Sequence, residues 1–305
     1  MPAPQRFRIG FDIGGTFTDF VLIDDVAGKI ALHKRLTTPH DASIAAIEGL
    51  RTLVSENGIS LGDVREIIHG TTLVTNAIIE RKGAAVGFLT TSGFRDLLQM
   101  GTEQRYDVYD LFLKFPDPLV PRRLRLEIEE RIDAHGSAIV PLKESDVLDA
   151  ADQLVRAGVN AIAIGFLHAY RNPAHERRAR ELIAARHPHL SISISSDVFA
   201  EIREYQRFVT TCANAYVQPL MASYLDNLTA KLSAEGFSGA LRLMHSAGGL
   251  VPVETAKRFP IRLLESGPAG GALAAGFFGK GAGLDDLIAF DMGGTTAKGT
   301  LIIGG

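Results

Sequence analysis

Apolar and polar positions alternate in a pattern that occurs twice. Near the N-terminus an apolar run over Arg8–Ile13 enters, Asp12-Ile13-Gly14-Gly15-Thr16 turns, and a second apolar run over Phe17–Ile23 leaves. Near the other end Leu287–Phe290 enters, Asp291-Met292-Gly293-Gly294-Thr295-Thr296 turns, and Thr300–Ile303 leaves. Both read as β-hairpins with polar tips. A structural unit used twice is a stronger signal than either copy alone.

Between the hairpins the pattern predicts an α/β chain. Lys29–Leu36 reads as a third antiparallel strand, and Asp41 caps a helix that runs to about Glu56. A strand at Glu66–Ile68 leads into His69-Gly70-Thr71-Thr72 and a helix ending near Arg81-Lys82-Gly83. Ala85–Thr90 reads as a buried strand and Gly93–Leu98 as a helix start. Residues 101–144 are irregular, with Leu126–Ile132 alternating like a half-exposed strand. Helix 145–157, strand Asn160–Leu167, helix 173–186 and strand Ser191–Ser195 then follow. Arg203–Leu232 reads as a long helix interrupted and kinked by Pro219. Strands at Leu241–Met244 and Arg262–Leu264 precede Ser266-Gly267-Pro268-Ala269-Gly270-Gly271 and a helix of small residues. Helices alternating with apolar strands indicate a mainly parallel sheet covered on both faces.

The hairpin tips carry the chemistry. Paired glycines permit φ > 0 and bring bare N–H groups close to a ligand, which suits an anion, and the threonines add hydroxyl donors. Asp12 and Asp291 repel a phosphate directly, so they suit Mg²⁺ or its waters held against phosphate oxygens. A plain turn satisfied by its own Asp and Thr is the alternative for a single copy. His69-Gly70-Thr71-Thr72 stands where a strand meets a helix N-terminus, a place for an anion or for a simple threonine cap. The histidines show no metal-site spacing, and no Ser/His/Asp nucleophile set can be argued.

Composition narrows the class. The chain has 305 residues, 46% of them hydrophobic, enough for a large core or two domains. A net charge of −3 gives no sign of nucleic acid or an anionic membrane as partner. The single Cys212 fits a reducing compartment, and no segment reads as a leader or a membrane span. The expectation is a soluble cytoplasmic protein.

Five motifs fall in one order: Asp12-Ile-Gly-Gly-Thr-Phe-Thr-Asp19, His69-Gly-Thr-Thr with Asn76, Glu201-Ile-Arg-Glu-Tyr205, Ser266-Gly-Pro-Ala-Gly-Gly271 and Asp291-Met-Gly-Gly-Thr295. That order resembles the hydantoinase A/5-oxoprolinase family, which includes N-methylhydantoinase subunits and acetone carboxylase β subunits. The resemblance spans nearly the whole chain. It implies the α/β fold of actin, Hsp70 and sugar kinases (ribonuclease H-like), with a mixed sheet and covering helices and with ATP and Mg²⁺ held between two hairpins. It places an N-terminal region over residues 1–200 and the start of a hydantoinase A region over 201–305. Family members continue for several hundred residues, so the chain resembles an N-terminal portion, one that by itself is expected to bind ATP weakly.

Carried over residue by residue, the resemblance makes Asp12, Gly14, Gly15, Thr16, Thr18 and Asp19 the first phosphate loop. Asp291, Gly293, Gly294, Thr295 and Thr296 become the second. Asp12 and Asp291 become metal-orienting carboxylates and His69 a catalytic residue, while Gly267 and Gly270, in a glycine-rich strand-to-helix loop, suit either a nucleotide or substrate contact or a close helix–strand crossing. Lys298 stands where the first loop has Asp19, free to meet phosphate, solvent or an ion-pair partner. The implied activity is ATP-dependent opening of a cyclic amide such as a hydantoin or 5-oxoproline through carbonyl phosphorylation, with a hydantoinase B-type second subunit. The alternatives are an ATP-dependent ketone carboxylase subunit and a nucleotide switch of the actin or Hsp70 kind.

Overall fold

The computed structural model describes residues 6–38, 41–102, 104–292 and 297–304. The first hairpin is β1 (Phe7–Ile13) and β2 (Phe17–Asp24), with β3 (Lys29–Leu36) antiparallel beyond it. One face buries Ile9, Phe11 and Ile13 with Thr18, Phe20 and Leu22. A slip of one residue would bury Asp12 and Asp19 instead, so the alternation fixes the register. Helix α1 (Ala42–Glu56) begins at Asp41, whose carboxylate accepts the Ser43 N–H at 2.9 Å. Strand β4 (Val64–Thr71) and helix α2 (Leu73–Ile79) follow.

The middle of the chain runs β5 (Val86–Thr91), a helical turn α3 (Leu97–Met100), β6 (Arg125–Ile128), β7 (Arg131–Ile132) and β8 (Ala138–Val140). It continues with α4 (Glu144–Arg156), β9 (Ala161–Gly165), α5 (Ala174–Arg186), β10 (Ser191–Ile194) and α6 (Ser195–Val198). The last third is α7 (Glu204–Ala234), β11 (Ala240–Met244), β12 (Leu250–Pro252), α8 (Val253–Arg258), α9 (Ser266–Gly281) and the second hairpin, β13 (Leu287–Met292) with β14 (Ala297–Ile302).

Four local expectations change. The half-exposed strand splits into β6 and β7 because Glu130 turns inward to Thr91 and His175. The helix expected from Gly93 is the single turn α3. The strand expected at Arg262–Leu264 is a 3₁₀ turn over Pro260–Leu263, opened by a proline that has no N–H for a sheet ladder. Helix α7 runs through Pro219, and beside that proline the Tyr216 carbonyl takes a hydrogen bond from outside the helix, Ala84 N–H at 2.8 Å.

The chain divides into two compact units. One joins the residues up to Glu80 with those from Met221 onward. Its six-stranded mixed sheet has the order β12-β11-β4-β1-β2-β3, with β4 parallel to β1 and β11. Phe20 packs on Gly49 of α1, and Tyr224 of α7 reaches the same face at His69.

The other unit is Arg81–Leu220, with a four-stranded parallel sheet in the order β10-β9-β5-β6. Its central strands β5 and β9 are buried throughout, with Leu154 of α4 over Gly87 and Phe208 of α7 over Gly165. The fully buried Glu176 carboxylate accepts from Phe166 N–H, Ser195 Oγ and Ser196 N–H at 3.0, 2.5 and 2.8 Å. Arg207, also fully buried, donates to Ser195 Oγ at 3.0 Å and to the Phe166 carbonyl at 2.7 Å. Burial pushes the Glu176 carboxyl above its ordinary range, and these donors hold it back. Among the described residues no helix is long and apolar enough to cross a membrane.

Candidate functional site

Strand pairing builds the site from one transverse row. Gly70 of β4 pairs with Asp12 of β1, Asp12 with Asp19 of β2, and Asp19 with Lys34 of β3. Asp12, Asp19 and Lys34 all lie on the solvent side of the sheet. Lys34 Nζ meets Asp19 Oδ1 at 2.7 Å. The Asp12 carboxylate has no hydrogen bond or ion pair among the described residues. The protein packed around it raises its pKa above the ordinary carboxylate range, and repulsion from Asp19 and Asp291 adds to the rise. The fold therefore brings the two aspartates of the two hairpins within electrostatic reach of each other.

The first tip is held from beneath. Gly14 N–H donates to the Phe17 carbonyl at 3.0 Å, and the Thr37 hydroxyl donates to the Gly14 carbonyl at 2.9 Å. Thr72 donates to the Ile13 carbonyl through its N–H and its hydroxyl, each at 3.2 Å, and Asn76 donates in turn to the Thr72 hydroxyl. Neither Gly14 nor Gly15 takes a positive φ, contrary to expectation. A Cβ on Gly14 would crowd the Phe17 carbonyl, whereas one on Gly15 would meet nothing within 4 Å. Gly15 thus offers bare backbone to solvent.

The other expected residues divide. Thr16 and Asp19 are exposed at the tip. Thr18 is fully buried and shares a hydrogen bond with Thr37 Oγ1 at 2.9 Å, so its hydroxyl braces the hairpin instead of facing a ligand. His69 is fully buried, stacked on Phe11 at 4.3 Å and bonded through Nε2 to Tyr224 Oη at 2.9 Å. Burial lowers its pKa to about 3, so the ring is neutral at physiological pH and sealed in the core. Gly293, Gly294, Thr295 and Thr296 lie outside the described residues. Asp291 is exposed at the end of β13, and Lys298 pairs with it across the hairpin, as Asp19 pairs with Asp12. Lys298 forms an ion pair with Glu265, the residue before α9.

A cleft of about 680 Å³ borders this row. Its floor is the next apolar row, Ile68, Gly10, Val21 and Leu32, and its wall is the start of α9 with Ser266, Gly267 and Gly270. The Ser266 hydroxyl donates to the Thr71 carbonyl at 3.3 Å. The floor suits a hydrocarbon surface, and only the Asp12–Asp19–Lys34 row suits charge. Sequence reading alone missed Lys34, Tyr224 and Glu265. The spacing of β2 and β3 holds the signal for the first of these, since a register centred on Val26 and Ala27 sets Lys34 opposite Asp19.

Residues 8–187 match the model of the hydantoinase/oxoprolinase N-terminal region, and 207–305 match that of hydantoinase/oxoprolinase. Caprolactamase subunit alpha of Pseudomonas jessenii is 37% identical, over 99% of this chain and 44% of the relative. The 5-oxoprolinase of Saccharomyces cerevisiae is 32% identical, over 95% of this chain and 25% of the relative. The crystal structure of the ATP-dependent caprolactamase superposes with a TM-score of 0.87 over 96% of this chain and 43% of that one. Nucleotide-free acetone carboxylase also gives 0.87, at 28% identity, over 97% of this chain and 44% of that one. The chain thus spans less than half the length of these relatives. These matches bear out the actin-like α/β fold, and with both family models satisfied along almost its whole length, the chain belongs to the hydantoinase/oxoprolinase family.

Proposed function

We propose that this chain forms the phosphate-handling part of an ATP-dependent amidohydrolase that opens a cyclic amide by phosphorylating its carbonyl oxygen. The observation that carries the reading is the Asp12 carboxylate, without a partner among the described residues, beside Asp19 and within reach of Asp291. Along this row and beside α9 the carboxylates Asp12, Asp19, Glu265 and Asp291 outnumber the ammonium groups Lys34 and Lys298. That excess of negative charge fits a divalent cation and disfavours a bare phosphate. Mg²⁺, when bound, would neutralise charge on the phosphate oxygens, with Asp12 and Asp291 as its protein carboxylates.

The remaining residues position and donate. The open backbone at Gly15 and the exposed Thr16 offer donors to phosphate oxygens, and the bare helix face at Gly267 and Gly270 admits close approach. A ring amide is a poor electrophile. Phosphorylation of its carbonyl oxygen makes the carbon open to water. The ring C–N bond then breaks with a proton taken up by the nitrogen, and the acyl phosphate left behind is hydrolysed to carboxylate and phosphate. Ring opening is thereby coupled to nucleotide cleavage, and the protein's share is placement and charge stabilisation. His69 holds Phe11 and β4 in place from the core and touches no substrate. The relatives named as subunits, caprolactamase alpha among them, favour a second subunit of hydantoinase B type as the partner.

Phosphate release by the full-length protein with its co-purifying partner tests this. Release that requires a cyclic amide (5-oxoproline, a hydantoin or caprolactam) supports the reading. Release that requires a ketone and bicarbonate replaces it with the carboxylase branch, and release without any small molecule replaces it with a nucleotide switch.

A further inference from the structure

Gly70 occupies a strand interior, where glycine weakens a sheet and gives nothing to pack. Its φ lies outside the left-handed region, so the backbone does not demand it. What fills the space of a side chain there is Asp12. A Cβ built on Gly70 would lie 2.6 Å from Asp12 Oδ1, 3.4 Å from Cγ and 3.6 Å from Cβ. Asp12 and Gly70 are direct partners in the parallel ladder. The Asp12 carboxylate therefore lies over bare backbone on one side, while on the other its antiparallel partner is a like charge, Asp19.

We infer that Gly70 is a positioning residue for Asp12. Repulsion from Asp19 pushes the carboxylate away, and the missing side chain at position 70 gives it one place to go. This lets the carboxylate, which has no hydrogen-bond partner among the described residues, turn over the bare backbone at position 70 and stay open to a cation. Any side chain at position 70 returns Asp12 toward Asp19. The inference rests on the proposal that Asp12 orients a divalent cation, and its structural half can be tested apart from that proposal.

The test is a double-mutant cycle in the full-length protein: wild type, Gly70→Ala, Asp12→Ala and the double variant. Two quantities are read, the melting temperature without nucleotide and the Mg²⁺ concentration for half-maximal ATP binding. Gly70→Ala is expected to lower the melting temperature only while Asp12 is present, and to leave it unchanged or higher in the Asp12→Ala background. It is also expected to raise the half-saturating Mg²⁺ about tenfold, the usual scale for losing a residue that orients a metal ligand. Should Gly70→Ala alone not fold, recovery of folding in the double variant is the same coupling, and failure to recover overturns it. Equal loss in both backgrounds overturns the inference, since the glycine then serves the strand. Thermal coupling in a protein that shows no Mg²⁺-dependent ATP binding keeps the Gly70–Asp12 contact and rejects the nucleotide reading.

Discussion

Replacing Asp12 by Asn in the full-length protein should make the ligand-free form more stable and the liganded form worse. Asp12 and Asp19 are cross-strand partners, and such pairs stand about 5 Å apart. Two unit charges at that distance repel by about 1 kcal/mol in water and about 3 kcal/mol at the effective permittivity of a protein surface. Solvent reaches Asp12, and Lys34 neutralises part of Asp19, so the lower figure applies. Removing about 1 kcal/mol of repulsion raises the melting temperature by about 2 °C for a chain of this size. The sign follows from the raised Asp12 pKa: its deprotonation costs folded-state stability as pH rises through that pKa. The gain from Asp12→Asn is therefore present at pH 7 and vanishes below the ordinary carboxylate range, where Asp12 is protonated in the folded and the unfolded chain alike. Differential scanning calorimetry across pH 3–7, with and without Mg²⁺ and ATP, reads both effects. Added Mg²⁺ and ATP stabilise the wild type by about 2.7 kcal/mol at one hundred times the dissociation constant, and Asp12→Asn forfeits most of that. A ligand-free variant less stable than wild type at pH 7 would refute the reasoning, because it would mean that Asp12 is held by a partner.

Further outcomes follow from two buried groups. His69→Phe keeps the stack on Phe11 but removes a ring whose folded pKa is about 3, so the variant should lose less stability than wild type as pH falls from 7 to 4; equal acid sensitivity in urea titrations counts against a neutral buried His69. The same variant should leave any pH dependence of catalysis unshifted, because the ring is sealed in the core. Cys212 is 2% exposed, and burial pushes its thiol up, so maleimide should label it only in denaturant; labelling of the native protein within minutes would contradict its placement.

The strands of both hairpins were legible because their signal is local: alternation sets them, and in the first hairpin the glycine pair marks the turn. The alternating pattern also placed α1, β5, α4, β9, α5 and β10 to within a few residues. What stayed hidden depends on contacts between distant segments. A histidine between Ile68 and Gly70 looks the same whether β4 turns it to a cleft or to a core, and only the pairing of β4 with β1 and the arrival of Tyr224 decide. The space beside Gly70 is filled by a side chain more than fifty positions away in sequence. Glu265 gains a lysine partner only when the second hairpin packs beside α9. Thr18 was misjudged although its burial follows from the alternation that buries Phe20 and Leu22. The division into units is likewise non-local, since one of them joins both ends of the chain.

The central claim is that the two hairpins serve an ATP-dependent opening of a cyclic amide. Its most direct test is phosphate release from ATP by the full-length protein with its partner, with 5-oxoproline, a hydantoin or caprolactam as the only added substrate, in wild type and Asp12→Ala. The account predicts amide-dependent release in the wild type and its loss, by at least a hundredfold, when the metal-orienting carboxylate is removed. Undiminished release in Asp12→Ala, or release indifferent to the amide, would contradict it.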